Sequence, residues 1–405
     1  MSVEGQTFPK SVQPGIPKLG STPKGWKRYR IGDLFDVVSR PTDLHDDQEY
    51  DLVTVKRSRG GIERRSHLLG RQISVKSQFL LEEGDFLISK RQIVHGACAV
   101  VPAEFSGSIV SNEYSVLRPR PVLNLSYLRY LVHSVYLQQT FFHSSVGVHV
   151  EKMIFRLEDW FKWPIHLPPV AEQEKLGRGL MGADAKITLL TDKKTALEDY
   201  KRGLMQRLFS RELRFTRDDG SPFPDWEERK LGEFATAFSG GTPTVGREAY
   251  YGGKIPFIKS AEISRDTTSE YLSELGLKKS AARLIEKGDL LVALYGANAG
   301  EVAFSKLDGA INQAVLCVRS ELDLSFSFHF LGWKKNALRA RYLQGGQGNF
   351  SGTIVKAISM PFPHPDEQHK IAAALSALDA KIDALSQKIS EMEAFKKGLL
   401  QKLFV

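Results

Sequence analysis

The feature that most constrains the fold is a segment of 39 residues that occurs twice in the chain, 195 positions apart. Residues 171–209 and residues 366–404 align without a gap, and 17 of the 39 paired positions are identical. A repeat of this length indicates that one structural unit has been duplicated. Prolines precede each copy and none lies inside it. This predicts two long helices, since proline suits a helix start but breaks a helix interior.

Apolar residues in the second copy recur at alternating spacings of four and three between Ile371 and Met392. This heptad pattern is typical of a coiled coil. The first copy keeps it more weakly, with Lys194 and Lys201 on the seam, and Lys396 interrupts the second copy. Because a lone helix would leave its apolar stripe in water, we expect the two helices to pair. An antiparallel pair has an approximate two-fold axis, which suits two copies of one partner and duplex DNA.

Identical residues also lie off the apolar seam, where surface side chains usually drift after duplication. Their retention predicts that both helices present the same face to the same kind of partner. The candidate subunit-binding residues are Glu172, Gln173, Lys186, Gly203, Gln206, Phe209, Glu367, Gln368, Lys381, Gly398, Gln401 and Phe404.

The stretches before the two helices share a skeleton. Both carry an E-x-G-D sequence, at Glu82–Asp85 and Glu286–Asp289, followed by an apolar run. Short β-rich runs precede a helical run in each stretch, which predicts an α+β fold. The E-x-G-D turn is expected to lead directly into a buried strand. The expected segments are a flexible N-terminal extension (1–22), a first domain (23–165), a central helix (166–212), a second domain (213–360) and a C-terminal helix (361–405).

Between the shared points the two stretches differ in their polar loops. Residues 55–65 hold five basic residues around a Gly-Gly turn, whereas the second stretch has Ser239–Pro243, Lys254–Lys259 and a glutamine- and glycine-rich run over 344–352. Arg and Lys suit guanine and phosphate, and Gln and Asn suit adenine. The alternatives without DNA contact are a solvated basic turn for 55–65 and a flexible linker for 344–352. The candidate DNA-binding residues are Lys56, Arg57, Arg59, Arg64, Arg65, Lys90, Arg91, Thr242, Lys254, Lys259, Gln344, Gln347 and Asn349.

Composition limits the class of protein only broadly. The net charge of +9 and pI near 9.3 point weakly to a polyanionic partner. Neither a run of 18 apolar residues nor an apolar run near the N-terminus occurs, so we expect no membrane span and no secretory signal. Cys98 and Cys317 give no disulfide framework and are expected as buried thiols in a reducing cytoplasm.

Motifs for catalysis are missing. The sequence has no P-loop, no dinucleotide-binding G-x-G-x-x-G before a helix, no Asn/Asp-Pro-Pro-aromatic box and no histidine spacing typical of metal ligands. We therefore expect no catalytic site, no metal and no cofactor bound by this chain.

Taken in order, these motifs resemble the specificity subunit of type I restriction–modification systems. The most specific are the duplicated P-x-x-x-E-Q helix that ends in G-L-x-Q-x-L-F, and the S-G-G-T-P to I-N-Q-A layout of residues 239–314. The first half departs from that layout, with Ser39–Thr42 in place of S-G-G-T-P and Ser111–Glu113 in place of I-N-Q.

The resemblance implies two pseudo-symmetric α/β target recognition domains separated by an antiparallel coiled coil. Each domain would read one half of a bipartite double-stranded DNA target, and the helices would space the halves and dock two methyltransferase (M) subunits. S-adenosylmethionine, ATP and Mg are then expected on partner subunits, among them restriction/translocase (R) subunits, in a prokaryotic cytoplasm. Two alternatives stay open: a stand-alone, repressor-like bipartite DNA-binding protein, and a coiled-coil protein scaffold.

Overall fold

The computed structural model describes residues 9, 11–342 and 350–403 and divides the chain into two compact units. The first unit takes residues up to Thr191 together with residues from Gln387 onward, and the second takes Asp192–Ser386. Each unit therefore contains one domain and parts of both long helices. Both units mix helices with several small sheets, so the predicted α+β class is confirmed. None of the helices in the described part of the chain combines the length and the apolar composition of a membrane span.

The first unit is built from short strands and three short helices that precede the first long helix. Its strands are β1 (Lys27–Arg30), β2 (Phe35–Val37), β3 (Pro41–Thr42), β4 (Glu49–Val55), β5 (Ile62–Leu69), β6 (Gln78–Leu80), β7 (Phe86–Ser89), β8 (Cys98–Val100), β9 (Ile109–Ser111), β10 (Tyr114–Pro119), β11 (Ser145–Val146), β12 (Ile154–Phe155) and β13 (Pro164–Leu167). Its helices are α1 (Leu125–Leu131), α2 (Val135–His143), α3 (Leu157–Trp160) and the first part of α4 (Val170–Phe209).

Two sheets carry the first domain. The strand orders are β2-β10-β7-β8, which is antiparallel throughout, and β3-β6-β9-β4-β5, in which β4 and β9 are parallel. The main core lies between the first of these sheets and helices α1 to α3, where Phe86, Tyr127, Phe141 and Trp160 are fully buried. The long hairpin of β4 and β5 extends from the second sheet, and its turn carries the basic residues Lys56, Arg57 and Arg59.

The second unit repeats this plan with different connections. Its strands are β14 (Glu227–Lys230), β15 (Thr236–Ser239), β16 (Tyr251–Ile258), β17 (Tyr271–Leu272), β18 (Arg283–Ile285), β19 (Leu290–Ala293), β20 (Val302–Phe304), β21 (Gly309–Ile311), β22 (Val315–Arg319) and β23 (Ser359–Phe362). Its helices are α5 (Leu231–Phe234), α6 (Glu274–Lys278), α7 (Ser325–Tyr342), α8 (Gly352–Lys356), the second part of α4 and the first part of α9 (Pro365–Leu403). The rest of α9 belongs to the first unit. The sheet β15-β22-β19-β20 has the same strand order and directions as β2-β10-β7-β8.

The two E-x-G-D sequences form the same turn. The carboxylate of Asp85 accepts the Glu82 backbone N–H at 2.8 Å, and that of Asp289 accepts the Glu286 backbone N–H at 2.8 Å. The glycine before each aspartate has a φ of 84° or 96°, which a residue with a Cβ rarely adopts. Both turns lead into strands, β7 and β19, whose residues are all buried, as the sequence predicted.

Opposite ends of the two long helices meet within each unit. In the first unit, Leu180 near the start of α4 and Leu399 near the end of α9 belong to one hydrophobic core. In the second unit, Leu208 at the end of α4 and Ile371 at the start of α9 share another. The helices are therefore antiparallel in each unit, as the family resemblance implied.

Two of the three lysines on the seam, Lys201 and Lys396, form ion pairs between the long helices. Lys396 Nζ lies 2.5 Å from Asp184 Oδ1 in the first unit, and Lys201 Nζ lies 2.5 Å from Asp379 Oδ1 in the second. Both aspartates and both lysines are related by the 195-residue offset of the repeat. The two ion pairs are thus one interaction present in both copies, which accounts for the recurrence of Asp184 off the seam.

Part of the predicted flexible extension packs on the first domain. Val12 is only 4% exposed. Ser11 Oγ lies 3.3 Å from His95 Nδ1, and Thr22 Oγ1 lies 3.0 Å from His166 Nε2. The polar composition of 1–22 predicted a free segment, but histidines distant in sequence supply partners for Ser11 and Thr22. Residues 1–8 and 10 lie outside the described part.

Candidate nucleic-acid interface

Three loops of the first unit meet at the turn between β4 and β5. The turn is closed by the Lys56 backbone N–H, which donates to Gly61 O at 2.9 Å. Inside it Ser58 and Arg59 have φ values of 57° and 59°, a left-handed conformation that non-glycine residues seldom adopt. The Arg59 backbone N–H donates to Gly96 O at 2.8 Å, which holds the strained turn against the loop after β7.

Arg57 ties the turn to both neighbouring loops. Its Nε–H donates to Gln92 Oε1 at 2.8 Å, and its Nη2–H donates to Glu151 Oε2 at 2.8 Å. Lys90 belongs to the same region, because its carbonyl accepts the Phe155 backbone N–H at 2.9 Å. Residues that are far apart in sequence, at 56–60, 90–92 and 149–152, therefore form one exposed surface.

Most of the predicted basic residues of the first domain are exposed, but several have carboxylate partners. Such pairs lower the local positive potential without removing the N–H donors that a nucleic acid would contact. The pairs are Lys56 with Glu63 (2.8 Å), Arg64 with Asp51 (3.0 Å) and Arg91 with Glu113 (2.5 Å). Lys90 Nζ donates to Asn112 O at 2.7 Å. Arg65 is exposed, and the described residues give its guanidinium no hydrogen bond or ion pair.

Arg59 differs from the expectation that it faces DNA. Its guanidinium packs against Gly96, so close that a Cβ on that glycine would lie 3.0 Å from Arg59 Cζ. The side chain lines a cavity of about 330 Å³ that also borders Asp184 and Lys396 on the long helices. Nη1 is buried with no hydrogen-bond partner among the described residues, and burial lowers the Arg59 pKa. Arg59 therefore points toward the helices and away from the exposed turn.

In the second unit the candidate residues follow β16 and the loop before it. Thr242 Oγ1 donates to Gln313 Oε1 at 2.6 Å, which joins that loop to the I-N-Q element. Lys254 is exposed on β16, and Lys259 pairs with Glu270 at 3.0 Å. The remaining candidates lie outside the described residues: Gln344, Gln347 and Asn349.

Sequence reasoning missed the polar residues that organise the first surface. The candidates in the first domain were chosen as basic residues, and Glu151 is acidic. A carboxylate is not expected to approach DNA. Gln92 directly follows Lys90 and Arg91 in the sequence, and this adjacency was the only signal that could have drawn attention to it. Gln313 lies in the I-N-Q element, which supported the family resemblance and was not among the predicted DNA-binding residues.

The predicted subunit-binding residues fall into exposed and internal groups. The exposed ones are Glu172, Lys186, Gly203, Gln206, Lys381 and Gln401. Gln368 and Gly398 are half-buried, and the Gln368 Nε2–H donates to Pro363 O at 2.8 Å. Phe404 lies outside the described residues.

Three of the predicted docking residues instead serve their own unit. Gln173 is fully buried, with Oε1 accepting the Asn124 backbone N–H at 2.9 Å and Nε2–H donating to Pro168 O. Glu367 is also fully buried and is bonded to Arg214. Phe209 packs edge-on against the rings of Phe326 and Phe330 in the second core. These three side chains are held inside their own units, because a buried side chain presents no surface to a partner.

The two units also match one protein family. The sequence profile described as the type I restriction modification DNA specificity domain matches residues 23–199 and 224–394. The chain belongs to this family. The resemblance inferred from the motifs is thereby confirmed, and each profile match covers one domain with much of the long helix that follows it.

Similar proteins carry the same description. The type I restriction enzyme MjaVIII specificity subunit of Methanocaldococcus jannaschii is 27% identical over 200 residues, which cover 48% of this chain and 46% of that protein. The chain thus spans about half the length of this curated relative. The putative MjaX specificity subunit of the same organism is 22% identical over 408 residues, covering 95% of this chain and 94% of that protein.

A solved structure shows the same fold. The S subunit of the type I restriction–modification system of M. genitalium has a TM-score of 0.62 and 16% identity, over 96% of this chain and 99% of that one. Both curated relatives are named specificity subunits, in agreement with the resemblance inferred from the motifs. Among the described residues no group of three or more His, Cys, Asp or Glu side chains is placed to hold a metal ion.

Proposed function

We propose that this chain is the sequence-specific DNA-binding subunit of a type I restriction–modification complex, in which each unit reads one half of a bipartite target. The observation that carries the proposal is the repeated sheet order, β2-β10-β7-β8 and β15-β22-β19-β20, in two units whose exposed loops differ. A shared scaffold with different polar loops suits two readers of different base sequences, because base-edge contacts depend on individual side chains.

The long helices space the two half-sites and dock two methyltransferase subunits. In support, the exposed residues Lys186 and Lys381 occupy equivalent positions in the two copies, as do Gln206 and Gln401. One partner surface could therefore engage both helices. S-adenosylmethionine, ATP and Mg belong on the methyltransferase and restriction subunits of the complex, which acts in the prokaryotic cytoplasm.

Co-expression with the methyltransferase subunit tests the assembly. The expected product is a complex of two methyltransferase subunits and one copy of this chain, measured by light scattering after size exclusion. The complex should methylate one bipartite sequence in genomic DNA. Tight bipartite binding by the chain alone that methyltransferase subunits leave unchanged would favour a repressor-like protein. Failure to bind DNA in any form would favour a scaffold.

A deletion tests the spacing role. Removing one heptad from each long helix shortens it by about 10 Å, the length of roughly three base pairs. The recognised spacer should then shorten, or bipartite recognition should be lost while each half-site is still bound. Unchanged affinity for the original spacer would contradict the role of the helices in spacing.

A further inference from the structure

Arg57 presents one edge of its guanidinium while the protein holds the other. The side chain is 50% exposed at the turn between β4 and β5. Its Nε and Nη2 donate to Gln92 and Glu151, and these two nitrogens form one edge of the planar group. Among the described residues no partner is present for Nη1. The outward edge, formed by Nη1 and the second N–H of Nη2, therefore remains free to donate two parallel hydrogen bonds.

The partners of Arg57 lie next to a buried residue of the same domain. Glu151 Oε1 approaches Nε2 of His95 to 3.1 Å without the alignment of a hydrogen bond, and the His95 side chain is only 1% exposed. His95 Nδ1 in turn lies 3.3 Å from Ser11 Oγ in the segment that packs on the domain. Gln92 precedes the buried turn Ile93–His95. An arginine fixed by anchored partners loses less side-chain entropy on binding than a free one.

Charge separates two roles that Arg57 could have on DNA. A phosphate contact gains from net positive charge, and Glu151 within 2.8 Å cancels that charge and repels a phosphate. A guanine edge offers two neutral acceptors, O6 and N7, which fit two parallel N–H donors. The carboxylate therefore opposes phosphate binding by Arg57 but leaves guanine binding in place.

We propose that Arg57 reads a guanine in the major groove of the half-site bound by the first unit, with Gln92 and Glu151 as positioning residues. This assignment rests on the proposed function. It concerns one half-site only. In the second unit, aligning Gly96 with Gly300 puts Gly296 and Ala299 at the positions of Gln92 and His95, and neither side chain can repeat the arrangement.

Selection from a randomised double-stranded DNA library tests the assignment, using the full chain bound to its methyltransferase subunits. The wild type should prefer guanine at one position of one half-site. Arg57→Ala and Arg57→Lys should lower that preference about 5- to 150-fold and leave the other positions unchanged. Arg71→Ala is the matched control, because Arg71 is also an exposed arginine paired with a carboxylate, Asp47, away from the turn. It should leave every preference intact.

The positioning role has its own readout. Glu151→Gln keeps the shape but removes the charge that offsets Arg57. Guanine preference should fall, while binding to unrelated DNA strengthens and the salt slope, d log K/d log[salt], steepens by about one. A merely structural role for Glu151 would not steepen the salt slope. Thermal unfolding by circular dichroism verifies that each variant is folded. Arg57→Lys keeps the positive charge of the turn, so it separates loss of the guanidinium from loss of charge.

Different results would refute different parts of the proposal. Uniform weakening by Arg57→Ala on all sequences, with a salt slope shallower by about one, would identify a phosphate contact. Unchanged preference and salt slope in Glu151→Gln would remove the positioning role. If Arg57→Ala keeps the wild-type base preference at every position, Arg57 does not read a base, but the proposed function stands. If the wild type itself shows no base preference, the proposed function is refuted.

Discussion

Glu367 and Glu172 occupy the same position in the two copies of the long helix, but their surroundings differ. Glu172 is exposed, whereas Glu367 is 0% exposed. The Glu367 carboxylate accepts Arg214 Nε–H at 3.1 Å, Arg214 Nη2–H at 2.8 Å and Trp226 Nε1–H at 2.8 Å. Replacing each glutamate by glutamine therefore tests whether the repeated position serves folding or docking.

The expected cost at Glu367 follows from these bonds. Hydrogen bonds to charged groups contribute about 1.5–3 kcal/mol each, and removing one partner of a buried ion pair costs about 3–5 kcal/mol. Glutamine keeps one acceptor, and the Arg214 side chain is 26% exposed, so water reaches the cation left behind. We expect Glu367→Gln to lower the free energy of unfolding of the second unit by about 2–3 kcal/mol. Glu172→Gln should change the free energy of unfolding of the first unit by less than about 0.5 kcal/mol.

Urea unfolding combined with hydrogen exchange measures both effects. Exchange separates the two units, which need not unfold together. Faster exchange is expected in β14 and the first turns of α9 for Glu367→Gln, and wild-type exchange throughout for Glu172→Gln. An equal decrease in the free energy of unfolding in the two variants, or no decrease in either, would refute the conclusion that the buried Glu367 stabilises the second unit.

The other predictions concern the seam, a buried histidine and Arg59. Asp184→Lys should destabilise the first unit, and adding Lys396→Asp should restore about 0.5–1 kcal/mol, the range of partly exposed pairs, in a double-mutant cycle of urea unfolding. Burial and Lys201 lower the pKa of His329 to about 4, below the ordinary value of about 6.5. The folded unit then binds fewer protons, so its stability should fall as pH drops from 6.5 toward 4, and His329→Gln should flatten this dependence of the urea midpoint. Arg59→Met should leave the salt slope of DNA binding unchanged. It should not lower the melting temperature either, because Nη1 has no hydrogen-bond partner among the described residues to lose. A shallower salt slope in Arg59→Met would show that Arg59 contacts DNA.

The repeat and its periodicity were enough to predict the two long helices and their pairing, because apolar residues every three or four positions define a buried helical face wherever the helix lies. The family and the antiparallel direction of the pair followed from the resemblance carried by the duplicated helix and the ordered motifs of residues 239–314. The E-x-G-D turns were equally predictable, because a glycine with positive φ and an aspartate that accepts a nearby backbone N–H act within four residues.

Only the tertiary structure decided which polar residues face outward. Arg57 and Arg59 are two positions apart in one basic turn, yet Arg57 lies at the surface and Arg59 packs against Gly96. Gln173 and Glu367 read as surface residues on a helix, and partners far away in sequence bury them. A polar group can be buried only where complementary groups satisfy it, and those groups come from segments that meet only when the chain is folded.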